Sequence, residues 1–268
     1  MNPNLYNMNK AIQYFGKIAF LSLTLLVGQS CSDDAKAPND QELTQVEVQT
    51  ILTSDQLASV ADNALAELFA DNGETAKTSK SNDCYVAEYT ETGYTATFNN
   101  CVLNGTDNVN GTVTATYDTG GEATSFNVTF TDFYVGNIKL NGTRNFVVNG
   151  DMEGNSFSIT VTSNMTIELA DGSTIVENGN KTFTFSFGET LENFTIGLSG
   201  TWTIQANGNT YSIESSGIEA DAQCGHFTSG SMVVSKNGLE VTVDFGDGTC
   251  DDKATVIYPN GATEEITL

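Results

Sequence analysis

The chain has 268 residues, and its 10 Lys and Arg against 34 Asp and Glu give a formal net charge of −24. A field of that sign repels phosphate backbones, which disfavours nucleic-acid binding, and the length suits one large all-β domain or two ordinary ones. Thr, Asn, Gly and Ser supply the polarity, while 15 Phe and 9 Tyr suffice for a core, so the composition excludes a disordered chain.

The first 30 residues predict a targeting segment. Lys10 and Lys17 precede an apolar run over 18–27, which is shorter than the about 20 residues that a membrane-spanning helix needs. A positive start, a short apolar stretch and small residues before a cut site are typical of a signal peptide. The alternative, a buried core helix, is disfavoured because a polar stretch follows at once.

The sequence GQSC (28–31) resembles the cleavage box of bacterial lipoproteins. In that family the cysteine, here Cys31, becomes the first residue of the mature protein and carries the lipid. Gln29 departs from the strictest pattern, but looser boxes of this kind occur in lipoproteins of the Bacteroidota. The acidic residues of CSDD (31–34) resemble a signal for display on the outer leaflet of the outer membrane, with attachment facing the periplasm as the alternative.

A helix over 53–72 is the one strong helical signal. Thr53 as N-cap, with Gln56 three residues later, forms a capping box, and Asn72-Gly73 supplies the stop. Apolar residues between these ends recur at i, i+3, i+4 and i+7 and form one stripe. We expect this stripe to pack on the chain's own sheet rather than on a partner.

From Asp83 onward the apolar period changes to two. Apolar residues alternate with Thr, Ser, Asn or acidic residues in SFNVTFTDF (125–133), FSITVTS (157–163), KTFTFSFG (181–188) and LEVTVDFG (239–246). One apolar face and one wet face are typical of antiparallel sheets. The sequence therefore predicts a mainly β fold: an antiparallel, meandering sheet, strongly curved or partly closed into a barrel, with the N-terminal amphipathic helix packed on it. A β-sandwich is the alternative.

A glycine followed by Thr or Ser recurs at intervals of 28 to 31 residues, and Gly261-Ala262 closes the series. The glycines of these steps are Gly111, Gly142, Gly172, Gly200 and Gly230. Two explanations stay open. The period is either a duplicated supersecondary unit or the pitch of a meander in which three strands of about ten residues make up each interval.

The hairpin CYVAEYTETGYTATFNNC (84–101) predicts a disulfide. A turn at Thr92-Gly93 pairs Glu91 with Tyr94 and places Cys84 opposite Cys101, with the tyrosines and Phe on one face and both cysteines on the other. The Cα atoms of such a non-hydrogen-bonded pair lie about 4.5 Å apart, which a disulfide can span.

Cys224 and Cys250 predict a second disulfide, although the Asn237-Gly238 turn places them one position out of register. One β-bulge corrects the offset. Three glycines lie where a bulge costs little: Gly225, Gly246 and Gly248. Zinc binding by the four thiols is the alternative, but no C-x-x-C spacing supports it and an exported chain favours oxidation.

No constellation of residues names a reaction, so the sequence predicts a protein that is not an enzyme and needs no cofactor. A catalytic role for the single histidine, His226, is disfavoured because the chain has no G-x-S-x-G elbow. Carboxylates are numerous, so a carboxylate-based hydrolase stays an alternative. Trp202 and the tyrosines are candidates for a sugar platform, although those of the first hairpin fall on its apolar side.

The acidic sequence DFGDGTCDD (244–252) is a candidate calcium site, since hard oxygen ligands in a glycine-containing loop suit that ion. Its spacing departs from the EF-hand pattern, and Asp-Gly clusters ordinarily form turns. The candidate ligands are Asp244, Asp247, Asp251 and Asp252.

Three stretches resemble uncharacterised outer-membrane and surface lipoproteins of flavobacteria and their relatives in the Bacteroidota. They are FNNCVLNGTDNVNGTVTATY (98–117), FTDFYVGNIKLNGTRNF (130–146) and VDFGDGTCDDKATVIYPNGATEEITL (243–268). The resemblance implies a location at the outer membrane and the cell surface. It implies no functional residues, because no activity is known for that group.

Together these patterns divide the chain into a signal peptide over 1–30, a lipidated cysteine with a flexible tether over 31–45, and one β-rich domain over 46–268. We expect a non-catalytic binding or structural protein of the cell envelope or cell surface, held to the membrane by the lipid. The alternatives are a glycan- or lipid-binding accessory lipoprotein and the hydrolase named above.

Overall fold

The structure is a computed structural model, and it describes residues 43–52, 54, 57, 61, 80–81, 84–102, 108–118, 124–151, 155–188, 194–221, 224 and 226–268. The predicted signal peptide and Cys31 lie outside the described residues. So do most of the predicted tether and most of the helix predicted over 53–72.

Fourteen strands of the described chain form one sheet, in which each strand is hydrogen-bonded antiparallel to the next along the sequence. The strands are β1 Lys80–Ser81, β2 Tyr85–Thr90, β3 Gly93–Cys101, β4 Val109–Asp118, β5 Thr124–Val135, β6 Ile138–Asp151, β7 Ser156–Glu168, β8 Thr174–Phe187, β9 Phe194–Ala206, β10 Asn209–Asp221, β11 Ser229–Lys236, β12 Leu239–Asp247, β13 Lys253–Ile257 and β14 Thr263–Thr267.

The predicted antiparallel meander is confirmed. All fourteen strands belong to one sheet rather than to the two sheets of a β-sandwich. The strand order runs from β1 to β14 without a pairing between these two ends, so the described strands form an open sheet and not a closed barrel.

The alternation of apolar and polar residues in the sequence places the side chains of each strand on two different faces of the sheet. In β5, β7, β8 and β12 the apolar residues lie on one face, here called the inner face, and most of the Thr, Ser and Asn side chains lie on the other. Val48, Ile51 and Ala61 of the N-terminal helical residues are fully buried in the same core as the inner-face side chains. The expectation that this segment packs on its own sheet is therefore confirmed for the described residues.

The helix, α1, begins earlier than predicted. Residues 45–52 are already helical, as are residues 54, 57 and 61, so the predicted start at Thr53 is wrong. Thr44 is the N-cap: its backbone N–H donates to Glu47 Oε2 at 3.0 Å, and the Glu47 N–H donates to Thr44 Oγ1 at 3.3 Å. This is a capping box of the same T-x-x-E/Q form as the predicted one. Leu43 before it is 2% exposed.

Bulges and glycines shift the strand register at repeated positions. At Asp132 in β5 the register shifts and φ is 45°, and the Asn141 side chain of β6 accepts the Asp132 N–H at 2.7 Å. Gly142, next to Asn141, has φ 127°, and a Cβ there would lie 2.1 Å from the Asn164 carbonyl oxygen. The strand can pass this close to β7 because Gly142 has no side chain. The same arrangement occurs at Asn100, Asn110 and Gly111.

The glycines of the 28- to 31-residue period are not equivalent positions. Gly111, Gly142 and Gly230 oppose bulges within strands, whereas Gly172 and Gly261 lie in turns with open space around them. True duplication would place each glycine at the same point of the unit. The period is therefore better explained as the pitch of the meander.

The first predicted disulfide, Cys84–Cys101, forms with a Cα separation of 5.2 Å. The register that predicted it is wrong by two residues, because the turn lies at 91–92 and Thr90 pairs with Gly93. Cys84 then faces Asn99, whose N–H donates to the Cys84 carbonyl, and the bulge after Phe98 brings Cys101 back within reach. The bulge also turns Cys101 into the core, where it is fully buried, and not onto the wet face.

The second predicted disulfide, Cys224–Cys250, forms with a Cα separation of 5.5 Å. Lys236 pairs with Leu239 around the predicted Asn237-Gly238 turn, so this register is as expected. A bulge is present opposite the segment of β12 that contains Gly246, but it shifts the pairing in the direction opposite to the predicted one, because Ser229 lies opposite Asp247. Cys224 and Cys250 therefore meet in the loops beyond the strand ends.

Candidate functional site

Six polar or amphipathic side chains interrupt the apolar inner face on the neighbouring strands β6 to β10. Each is at most 5% exposed. We call this set the inner polar cluster; its members are Arg144, Ser163, Glu177, Lys181, Trp202 and Ser215. Polar groups at this depth must be satisfied by one another, by water or by a ligand.

The strand register brings the cluster together. Arg144 lies opposite Ser163, and Lys181 of β8 lies opposite Gly200 of β9, which lies in turn opposite Ser215 of β10. Glu177 and Trp202 are diagonal neighbours, because Trp202 lies opposite the residue two positions beyond Glu177. Diagonal pairs are about 7–8 Å apart, within reach of long side chains.

Glu177 is the electrostatic centre of the cluster. Lys181 Nζ donates to Glu177 Oε2 at 2.9 Å, and Arg144 Nε donates to Ser163 Oγ at 3.2 Å. Burial by itself raises the pKa of Glu177, but the positive charges of Lys181 and Arg144 outweigh burial, so that the pKa lies below its usual value. The Lys181 ammonium also lies over the Trp202 ring, 4.8 Å from its centroid, as in a cation–π contact.

Three atoms of the cluster make no hydrogen bond within the described structure. They are Glu177 Oε1, Trp202 Nε1 and Ser215 Oγ. Leaving such an atom unsatisfied costs about 1–3 kcal/mol, so each of the three atoms calls for a partner. The set contains one acceptor, one N–H donor and one hydroxyl that can do either.

A second polar contact anchors α1 to the sheet. Glu47 Oε1 accepts from Lys236 Nζ at 2.6 Å and from Tyr211 Oη at 2.7 Å, and the side chains of Lys236 and Glu47 are 7% and 18% exposed. Partial burial raises the pKa of Glu47, but the hydrogen bonds from Lys236, the Thr44 backbone and Tyr211 outweigh it and hold the pKa below its usual 4.5.

We expect Glu47→Gln to destabilise the chain by about 1–2 kcal/mol near pH 7, because it removes charge-assisted hydrogen bonds. The folded-state pKa of Glu47 is lowered, so its contribution is complete above the unfolded-state pKa of about 4.5 and is lost as pH falls through the lower folded value. Urea unfolding of both proteins across this range should show the curves converging in acid. Glu91→Gln, at an exposed turn residue, is the matched control.

The acidic loop uses its carboxylates to shape turns. Asp244 Oδ1 accepts from the Gly246 N–H at 2.9 Å, Asp247 Oδ1 from Thr249, and Asp251 Oδ1 from the Lys253 N–H at 3.1 Å. Within the described residues no three His, Cys, Asp or Glu side chains come together as a group that could hold a metal ion. The candidate calcium ligands Asp244, Asp247, Asp251 and Asp252 therefore do not form a site in the described structure, and the first three use carboxylate oxygens to cap their own turns.

The structure also places the other two candidate residues, His226 and Trp202, and they differ in exposure. His226 is a partly exposed residue in a bend between β10 and β11. Trp202 is 2% exposed and faces the core, so it offers no open platform for a sugar. Tyr85 and Tyr94 are likewise buried, as the sequence predicted.

The inner polar cluster was missed in the sequence, although a signal for it exists. In TIVENGNKTFTF (174–185), Glu177 and Lys181 occupy the same alternate positions as the apolar residues Ile175 and Phe183. Arg144 likewise lies two residues from Phe146, on the same face of its strand. Charged residues at apolar positions of β6 and β8, the two strands on either side of β7, mark a buried network. Their mutual proximity depends on the strand register, which the alternation alone does not provide.

The comparisons with known proteins supply no relative. No family model, no curated protein and no solved structure matches this chain. No helix of the described residues has the length and apolar character needed to cross a membrane.

Proposed function

We propose that this chain is a lipid-anchored, non-catalytic protein of the bacterial cell envelope, held at the outer membrane through Cys31 and serving there as a binding or structural component. The observation that carries the proposal is the pairing of the cysteines. Four of the five form two disulfides, Cys84–Cys101 and Cys224–Cys250, and Cys31 is the odd one. Structural disulfides favour an exported protein, and the lipoprotein-like box then gives the remaining thiol a lipid partner.

The behaviour of the carboxylates supports a non-catalytic role. A glycosidase-type mechanism needs one carboxyl with a raised pKa to act as general acid. The pKa values of the two carboxylates that bind lysines on the inner side of the sheet, Glu47 and Glu177, are instead lowered by those partners. Asp171, Asp244, Asp247 and Asp251 accept hydrogen bonds from their own turns. Carboxylates held in such contacts stabilise the fold and are poorly suited to donating a proton in a reaction.

A glycan- or lipid-binding accessory protein is the second candidate. It is favoured by the inner polar cluster, in which three buried polar atoms lack a hydrogen bond in the described structure. Buried polar groups are otherwise nearly always satisfied, so a bound molecule is a natural source of the missing partners.

The test of the anchor is metabolic labelling of the full chain with an alkyne fatty acid in a bacterium of the Bacteroidota. We expect the wild type to carry the label and sediment with membranes, and Cys31→Ser to lose the label and become soluble. The matched control is Cys84→Ser with Cys101→Ser, which removes two thiols but should still be labelled. Labelled, membrane-bound Cys31→Ser would overturn the proposal. Protease treatment of intact cells reports whether the domain faces outward.

A further inference from the structure

The face of the sheet opposite the inner face, here called the outer face, carries two adjacent rows of small, neutral, polar side chains. The strand register aligns one such residue from each of nine consecutive strands, β3 to β11, into a first row. A second row, from β4 to β9, lies two residues away along each strand. We call the two rows the outer polar array; its members are Thr95, Thr114, Thr129, Thr143, Asn164, Asn178, Thr203, Ser212 and Ser235 in the first row and Thr116, Asn127, Asn145, Thr162, Asn180 and Thr201 in the second.

The array carries no charge although the chain is strongly acidic. None of its side chains is charged and none is buried, in a chain whose formal net charge is −24. A soluble surface is typically about a quarter to a third charged, so a patch of this size would ordinarily carry several charges. The acids begin where the rows end: Glu88 and Glu240 follow at the two ends of the first row, and Glu214 follows at one end of the second. An ordinary solvated face does not account for this pattern.

Side chains of the array hydrogen-bond to one another across neighbouring strands. Asn145 Nδ2 donates to Asn127 Oδ1 at 3.1 Å. Thr162 Oγ1 donates to Asn180 Oδ1 at 2.7 Å. Such contacts restrict the rotamers, yet hydroxyls and amides have further donor or acceptor sites beyond one bond. The array therefore presents preordered hydrogen-bonding groups that repeat about every 4.8 Å from strand to strand.

The charge pattern restricts what can bind to the array. A polyanion would be repelled by the acids at the row ends and by the net charge of the chain. A second copy of the chain carries the same −24 and is repelled for the same reason. A polycation would find no carboxylate within the array and would bind to acids elsewhere on the surface. A neutral partner avoids these conflicts, and uncharged groups lose their water at a lower cost than ions do.

The spacing restricts the shape of a neutral partner. The strand separation of about 4.8 Å is close to the length of one hexose unit in an extended polysaccharide, and nine strands give a row of roughly 38 Å. A chain lying along the row can place about one sugar at each strand, with its hydroxyls on the polar groups and its C–H faces on threonine methyl groups. Neighbouring strands are rotated by about 20–25°, so the row twists and suits a chain that can follow it better than a rigid plane.

We propose that the outer polar array binds an extended, neutral polysaccharide, which lies along the first row and crosses the strands. The inference rests on the second candidate function, takes its glycan alternative, and places the glycan on the outer face rather than at the inner polar cluster. It is independent of the lipid on Cys31.

The test uses the full chain with Cys31→Ser, so that the result does not depend on the anchor. Affinity electrophoresis in native gels measures binding as the retardation of the protein by a polysaccharide in the gel. The probes are glucomannan, which is neutral and extended, alginate, which is extended but anionic, and dextran, which is neutral but coiled. We expect retardation by glucomannan and about tenfold weaker binding of alginate and dextran.

Two variants with a matched control locate the site. Thr143→Glu places a charge in the middle of the first row and should weaken glucomannan binding at least about tenfold, because the sugar would cover an unpaired carboxylate. Thr129→Val combined with Thr143→Val removes two hydroxyls, keeps the side-chain shape and should weaken binding roughly threefold to tenfold. Thr263→Glu adds the same charge at an exposed residue of β14, outside the array, and should leave binding unchanged. Urea unfolding of each variant checks that the fold is retained.

Two outcomes would overturn the inference. The first is that glucomannan does not retard the folded chain, or that alginate retards it equally. The second is glucomannan binding that Thr143→Glu leaves unchanged. That second result would support the glycan alternative of the second candidate function while removing its site from the outer polar array, so the two proposals fail separately.

Discussion

Glu177→Gln is expected to lower the free energy of unfolding by about 3–5 kcal/mol, the cost typical of removing one partner from a buried ion pair. The substitution conserves shape but removes the carboxylate charge that faces Lys181 and Arg144. Both cations are at most 5% exposed, so water replaces the lost interaction poorly. Urea unfolding near pH 7, with the disulfides intact, measures the difference.

Two companion variants make this expectation specific. Glu214→Gln, on the exposed side of β10, removes the same charge from solvent and should change stability by less than about 0.5 kcal/mol. Glu177→Gln combined with Lys181→Met should recover a large part of the loss, because the lysine no longer has to stay charged in the core. Equal, small effects of Glu177→Gln and Glu214→Gln would show that the cluster is hydrated and would contradict the buried-pair account.

Removal of the Cys84–Cys101 disulfide by two alanine substitutions is expected to cost about 3 kcal/mol, because the link closes a loop of 17 residues in the unfolded chain. The Cys224–Cys250 link spans 26 residues, so the same entropic argument gives about 0.4 kcal/mol more for its removal. Urea unfolding of each double variant beside the wild type measures both values. A loss below about 1 kcal/mol for either pair would contradict the chain-entropy account.

The two disulfides should also differ in their access to reductant. Cys101 is fully buried in the core, whereas Cys250 is exposed in the loop after β12. Thiol–disulfide exchange requires the attacking thiolate to reach a sulfur atom. Limited reduction of the folded protein, followed by alkylation and mass spectrometry, should therefore find Cys224 and Cys250 modified first. Earlier modification of Cys84 and Cys101 would show that the first hairpin opens before the C-terminal loop.

The start of α1 shows how local signals can be correct in kind and wrong in place. Thr44-x-x-Glu47 and Thr53-x-x-Gln56 both have the capping-box pattern, and propensity does not choose between them. Tyr211 and Lys236, far away in the sequence, hold Glu47 in the first turn of the helix. A contact between distant residues thus decides where the helix begins.

In the first hairpin, too, the sequence predicts the face on which each side chain lies but not which residues pair across the two strands. The alternation correctly places Tyr85 and Phe98 on one face, since a shift of two residues leaves every side chain on its side of the sheet. The same shift cannot be detected from the alternation. The positive φ of Asn100, and with it the bulge that carries Cys101 into the core, depends on the neighbouring strand, whose Asn110 side chain binds the Asn100 N–H.

By itself, the sequence determined the class of the fold and the two faces of the sheet, because each depends on residue types at short, regular spacings. It also named both disulfide pairs, although the register used for the first pair was wrong by two residues. The tertiary structure alone decided the helix start, the hairpin register and the inner polar cluster. Arg144, Glu177 and Trp202 come from three strands, and only the register of those strands places them together. Hydrogen bonding between strands sets that register, and its energy belongs to pairs of segments rather than to any one segment.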